Sequence, residues 1–230
     1  VIILDESVLK DFEKIVKSLR HIGMNRNRVI KRINPLVLEA IAHRGYHNED
    51  IDENSLGAFK RALEHNLAIE LDVHLTKDNE LVVFHDFTLE RMTNKEGIIE
   101  ELSLEEIKNN YSLNHGEKIP TLKEVLSLID EKVPLVIELK VYKKNYKALA
   151  RRVQEELKII KDKRNIVIIS FDPRALFKFK RKDYVRLLLV TTYKDYRYLY
   201  FFRHFFEGID IEAEFLDEKK VRRYAKRHFV

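Results

Sequence analysis

Cysteine is absent from the 230 residues, which excludes a disulfide frame, a thiolate metal site and a cysteine nucleophile, and leaves the compartment open. No apolar run reaches the roughly 20 residues that a bilayer-spanning helix needs. A signal-peptide pattern, an internal repeat, a low-complexity tract and a second domain are also missing. A chain without these features, 45% apolar and 35% charged, has ordinary globular composition and is long enough for one large core. A strong charge of one sign is lacking too. The 43 basic residues are matched by 38 acidic ones, so the net charge of +5 sits mostly on solvated helix faces and gives no call for a nucleic-acid partner. Only residues 20–34 are locally one-signed, with Arg20, Arg26, Arg28, Lys31 and Arg32 and no acid. Two readings stand for that segment: a contact with an anionic membrane surface, or a solvated linker. The chain begins at Val1 without an initiator methionine, as a cut piece of a longer protein would.

What is present divides at about residue 36. Residues 1–36 read as an N-terminal extension or linker, with a short strand at 1–4 and an amphipathic helix carrying Leu9, Phe12, Ile15, Val16, Leu19 and Ile22. From 37 to 230 strands and helices alternate. Strands are expected at 36–45, 68–75, 80–86, 134–140, 166–171, 185–192 and 208–215, seven in all. A helix is expected from about Ser55 to His65, capped by Asn54 or Ser55, and further helices after the caps Ser103 and Thr121 and over 143–163. Between Asp72 and Leu81 there is no room for a crossover helix, so that link is an extended return or a hairpin. Near-continuous apolar strands separated by helices indicate a parallel sheet covered by helices.

The chemistry concentrates in residues 67–86, LAIELDVHLTKDNELVVFHD. Glu70, Asp72 and His74 are spaced two apart, which in a strand puts all three on one face. Charged groups are costly in a buried row unless they are paired or hold a cation. Glu138 and Lys140 form a second such dyad in PLVIELK, and His43 with Arg44 close PLVLEAIAHRG. If the strands form a barrel, these groups fall at strand C-terminal ends, where barrel sites are built. Glu70, Asp72 and Glu138 then offer three hard oxygen donors that suit one divalent cation, Ca²⁺ or Mg²⁺. The competing reading is burial against Lys or Arg. His43 and His85 on different strands suit an acid and base pair flanking a phosphate, with Arg44 and Lys140 as its cationic contacts.

The ordered set HRG at 43–45, EN at 53–54 followed by AF at 58–59, ELD at 70–72, TKD at 76–78, VVFHD at 82–86, IPTL at 119–122, IELK at 137–140 and ISF at 169–171 resembles the glycerophosphodiester phosphodiesterase family. The likeness runs from about residue 38 to 216. It implies an α/β fold of the TIM-type (β/α) barrel kind, hydrolysing glycerophosphodiesters to glycerol 3-phosphate and an alcohol with a divalent cation. It also implies His43 and His85 as the acid and base, Glu70, Asp72 and Glu138 as metal ligands, Arg44 and Lys140 as phosphate contacts, and Glu53 as a supporting residue.

The sequence departs from the family pattern at its C-terminus. It ends where an eighth strand and its helix are expected, and has no tryptophan for that strand's motif. Two accounts follow: a truncated barrel, or residues 1–4 and the helix after them standing in for the missing unit. The alternatives to diester hydrolysis are lysophospholipase D-type head-group cleavage and a non-catalytic, ligand-binding barrel. A cytoplasmic protein and the soluble domain of a membrane-anchored one both remain open, and the oligomeric state is not legible.

Overall fold

The computed structural model describes residues 28–190 and 205–211. The strand expected at 1–4, the helix expected over 5–22 and the idea that they complete the barrel fall outside those residues.

Strands β1 (Ile41–Ala42), β2 (Ala68–Leu75), β3 (Leu81–Val83), β4 (Leu135–Leu139), β5 (Ile166–Ser170), β6 (Val185–Val190) and β7 (Gly208–Ile211) form one sheet. Its order, β1-β2-β4-β5-β6-β7, follows the chain without reversal, and every pair along it is parallel. A doubly wound sheet reverses its order at a switch point, whereas a (β/α) barrel wall advances strand by strand. The path is therefore the wall of a barrel, with six parallel strands among the described residues. The expectation of seven strands in one parallel sheet is corrected at β3, which pairs antiparallel with β2 through Val73 with Val83 and Leu75 with Leu81. The connection between them is the hairpin that its length requires.

A second correction concerns 36–45. Pro35–Leu38 form a 3₁₀ turn, started by Pro35 and by the Asn34 side chain accepting from the Leu36 N–H, and only Ile41–Ala42 pair as strand. Proline fixes φ and lacks a donor, so this apolar run enters a helical turn more readily than a ladder.

A side-chain cap on the first turn recurs in four of the six described helices. In α1 (Leu56–Glu64) the Ser55 hydroxyl accepts from the Ala58 N–H, and the helix buries Ala58, Phe59 and Ala62. The short helices α2 (Glu90–Thr93) and α3 (Leu104–Asn110) follow, α3 opening with the capping box of Ser103 and Glu106. Helix α4 (Leu122–Ile129) opens with Thr121 and Glu124 in the same arrangement. Helices α5 (Tyr146–Glu156) and α6 (Pro173–Leu176) complete the described set.

Alternation along the strands sorts the side chains. Ile69, Leu71, Val73, Leu135, Ile137, Leu139, Ile166 and Ile168 face the helices, where Phe59, Leu122, Val125, Leu126, Leu149 and Val153 meet them in the main core. Val136, Val167, Ile169, Val185 and Leu187 take the opposite, inner face and are covered by Val29 and Ile33 from residues 28–34. Arg32 ties that segment down by donating to the carbonyls of Arg181 and Tyr184, whereas Arg28 and Lys31 are exposed. Strand β3 divides in the same way, with Leu81 and Val83 in the main core. Val82 and Phe84 join Leu89, Met92, Ile99, Ile107, Leu113 and Ile119 in a small core of their own under residues 87–121. The inner row of β2 is left to Glu70, Asp72 and His74.

Candidate active site

Strand register assembles the carboxylates. Asp72 on β2 lies directly opposite Glu138 on β4, and Glu70 is two residues earlier on the same face as Asp72. Donor oxygens of Glu70, Asp72 and Glu138 come within 4.8 Å of one another, and all three residues are buried. Lys140 stands between two of them, its Nζ 2.8 Å from Glu138 Oε1 and 3.0 Å from Asp72 Oδ1. One ammonium does not balance three carboxylates. Burial and the charges of Asp72 and Glu138 push the Glu70 carboxyl well above its ordinary range. Burial lifts Glu138 to about 7, even though Lys140 opposes the rise. Asp72 moves the other way. Burial alone would raise it, but Lys140, His85 and the Asn54 side chain outweigh that and favour its charged form. The Lys140 ammonium is held above its usual range because Asp72 and Glu138 overcome the effect of its burial.

Such a cluster has a surplus of negative charge, hard oxygen donors and little water. The donor set fits a hard divalent cation held by Glu70, Asp72 and Glu138, and offers nothing to a soft one.

The turn after β1 delivers the next pair. Arg44 has φ +55° and Gly45 φ +82°, two successive left-handed residues that reverse the chain over the end of the barrel. A Cβ at Gly45 would stand 2.7 Å from Ala58 Cβ and 3.0 Å from Phe59 Cδ1, so glycine lets the turn sit against α1. The strain at Arg44 is offset locally. Its N–H donates to Glu70 Oε2 at 2.9 Å, and its carbonyl accepts from the Asn54 N–H at 2.8 Å. Its guanidinium lies 3.1 Å from Glu53 Oε1 through Nη1 and 3.6 Å from Asp72 Oδ2 through Nε. His43 Nε2 is 3.9 Å from Glu70 Oε2. Burial, reinforced by Arg44, lowers the His43 imidazole to about 4, so it is neutral at physiological pH.

His85 enters from the far end of β3. Its Nδ1 is 2.6 Å from Asp86 Oδ1, which leaves Nε2 as the free ring nitrogen. Burial and then Lys140 lower its basicity. Asp86 Oδ2 accepts from Arg91 Nε at 2.5 Å, and Arg91 Nη2 donates to Glu53 Oε1 at 2.6 Å. Asp86 is held at about 2, because these hydrogen bonds from Arg91 and His85 outweigh its burial. One chain of charge-assisted contacts thus runs from His85 through Asp86, Arg91 and Glu53 to Arg44.

Of the eight residues singled out in the sequence, Glu138 lies near the C-terminal end of β4, His43, Arg44 and Lys140 directly follow β1 and β4, Glu53 and His85 lie on loops, and Glu70 and Asp72 lie within β2 rather than at its end. Sequence reasoning missed Asn54, Asp86 and Arg91. The sequence marks Asn54 as a candidate helix cap and as part of the EN pair, with no role of its own at the site; Ser55 is the cap, and Asn54 at φ +55° donates through Nδ2 to Asp72 Oδ2 at 2.9 Å. Asp86 stood inside VVFHD as an acid next to a histidine, a usable signal. Arg91 lies on a four-residue helix with no periodic pattern to mark it.

A sequence model of the glycerophosphoryl diester phosphodiesterase family matches residues 43–210. A glycerophosphodiester phosphodiesterase of Caldanaerobacter subterraneus subsp. tengcongensis is 42% identical over 149 residues, 61% of each chain. Glycerophosphodiester phosphodiesterase 1 of Bos taurus is 32% identical over 156 residues, 64% of this chain and 46% of that one. Among solved structures, an Oleispira antarctica phosphodiesterase in complex with the product sn-glycerol-3-phosphate superposes with a TM-score of 0.68 at 27% identity, over 80% of this chain and 79% of that one. A glycerophosphodiester phosphodiesterase of Thermotoga maritima gives a TM-score of 0.66, also at 27% identity, over 80% and 78%. The chain spans about three fifths of the length of the first curated relatives that it matches.

Proposed function

The chain belongs to the glycerophosphoryl diester phosphodiesterase family, and on that premise we propose that it hydrolyses glycerophosphodiesters to sn-glycerol 3-phosphate and an alcohol, using one Ca²⁺ or Mg²⁺. The observation that carries the proposal is the convergence of Glu70, Asp72 and Glu138 beside two histidines and two cationic side chains. When bound, the cation would supply positive charge against a phosphate oxygen. Arg44 and Lys140 supply the rest from the protein. The guanidinium offers a fork of donors, and the ammonium offers a point charge already poised between Asp72 and Glu138. Charge that grows on the phosphate oxygens during attack thus meets donors that are in place beforehand.

His43, kept neutral by burial, is suited to take the proton from the attacking oxygen. His85, its Nδ1–H donating to Asp86, gives a proton from Nε2 to the leaving alkoxide as the phosphorus–oxygen bond breaks, acting from the imidazolium form, which burial and Lys140 oppose and Asp72 and Asp86 favour. Glu53 holds Arg44 and Arg91 together, and through them couples the phosphate contact to the His85 support.

The test is release of glycerol 3-phosphate from glycerophosphocholine and glycerophosphoethanolamine by the full chain, with and without a chelator. His43→Ala and His85→Ala should each abolish it. Turnover that survives both substitutions, or that is confined to diesters carrying an acyl chain, would contradict the proposal.

A further inference from the structure

His74 belongs to the inner row of β2 yet takes no part in the chemistry above, and it is completely enclosed. We propose that it is a positioning residue that fixes the main chain of His85, so that β2 sets the separation between the carboxylate cluster and the acid–base histidine. The inference rests on the reading of His85 just given.

The argument begins with hydrogen-bond inventory. His74 Nδ1 lies 2.6 Å from Glu100 Oε1, and His74 Nε2 lies 3.2 Å from the His85 carbonyl oxygen. A carboxylate and a carbonyl are both acceptors, and a neutral imidazole has one N–H. A carbonyl oxygen can only accept, so the contact with His85 needs hydrogen on Nε2. Nε2 is therefore the donor to the His85 carbonyl. Both ring nitrogens are committed, so His74 has no lone pair for a cation although it shares a strand face with Asp72.

Glu100 is itself fixed. It sits in the 3₁₀ turn Ile99–Glu101, where the Ile99 N–H donates to the Phe87 carbonyl at 3.2 Å and the Lys77 N–H to the Leu102 carbonyl at 2.9 Å. The Phe87 ring stands edge-on to His74 with centroids 5.2 Å apart, and the His74 and Glu100 side chains are buried. His85 is thus held twice: at its ring by Asp86, and at its carbonyl by a side chain two residues beyond Asp72. The strand that carries Glu70 and Asp72 also anchors the residue that must work beside them.

An isosteric pair tests the role in the full chain. His74→Gln keeps an N–H at the ε position, and His74→Met has the same length with no donor. The Gln variant is expected to keep kcat within about threefold and the Met variant to lose ~10–100-fold, the usual scale for removing a supporting contact. KM and the affinity for Ca²⁺ alone should be unchanged in both. Equal turnover in the two variants, or a matching loss of Ca²⁺ affinity in the Met variant, overturns the proposal. Should the Met chain not fold, Glu100→Gln decides, because a carboxamide can donate to Nδ1 and leave Nε2–H on the carbonyl; a tenfold or larger loss of kcat in that variant also overturns it. Independently of turnover, the His85 ring resonances should stay in place in the Gln variant and shift in the Met variant. If they shift equally, His74 does not position His85, whereas an inactive wild-type chain counts against the functional reading alone.

Discussion

Replacing Gly45 by Ala tests whether the turn carrying His43 and Arg44 is seated by contact with α1, and Gly116→Ala supplies the control. Both glycines are left-handed, at φ +82° and φ +90°. Their surroundings differ. A Cβ at Gly45 would meet Ala58 Cβ at 2.7 Å, Ala58 C at 3.0 Å and Phe59 Cδ1 at 3.0 Å, and one at Gly116 would meet nothing within 4 Å. The backbone penalty for a left-handed alanine is about 1–2 kcal/mol, offset by about 0.4–1 kcal/mol from the stiffer unfolded chain, and it applies equally to both. Only Gly45 adds overpacking of about 1–3 kcal/mol, because Ala58 and Phe59 are fully buried and have nowhere to go. Gly116→Ala should therefore cost about 0–1.5 kcal/mol, and Gly45→Ala about 1–3 kcal/mol more, measured by urea denaturation at constant m. Turnover should fall only for Gly45→Ala, since displacing the turn moves the Arg44 N–H off Glu70. Equal destabilisation by the two substitutions would refute the argument that the close approach to α1 is what requires glycine.

Cation affinity should rise with pH. The Glu138 carboxyl sits at about 7 and Glu70 is also raised well above its ordinary range, and a cation binds the deprotonated forms, so binding must displace protons at low pH. From Glu138 alone, ~0.9 proton should be released at pH 6 and ~0.1 at pH 8, read by titration calorimetry of Ca²⁺ in two buffers of different ionisation enthalpy; affinity that is flat over this range would contradict it. Asn54→Leu removes the donor to Asp72 Oδ2 and should weaken Ca²⁺ binding ~10–100-fold. An unchanged dissociation constant would show that Asn54 is only a turn residue. Arg91→Met leaves Asp86 and Glu53 without their shared partner and should lower kcat ~10-fold or more, with partial recovery in Arg91→Lys. A kcat within twofold of the original would remove Arg91 from the account.

Period-two spacing made the inner row of β2 readable, because Glu70, Asp72 and His74, two apart in a strand buried on both faces, must each be paired or hold a cation. The helix caps were readable for a similar local reason: Ser55, Ser103 and Thr121 bind backbone within their own first turn. Contacts across the fold were not. Nothing local marks Arg91 as the link between Asp86 and Glu53, or Glu100 as the partner of His74, since each pairing depends on how residues 87–121 pack over β3. PLVL at 35–38 misled for the opposite reason. Its apolar content suited a strand, but the Asn34 cap and Pro35 turned it into a 3₁₀ turn, leaving β1 two residues long.

The account stands on Glu70, Asp72 and Glu138 sharing one ion beside Lys140. Crystals grown in CaCl₂ and measured for anomalous scattering test that directly. The prediction is a single peak bonded to oxygens of all three carboxylates at about 2.3–2.6 Å, the Ca²⁺–oxygen range. A map without that peak at saturating Ca²⁺, the three carboxylates still gathered around the Lys140 ammonium, would contradict it and reduce the cluster to a buried ion-pair network.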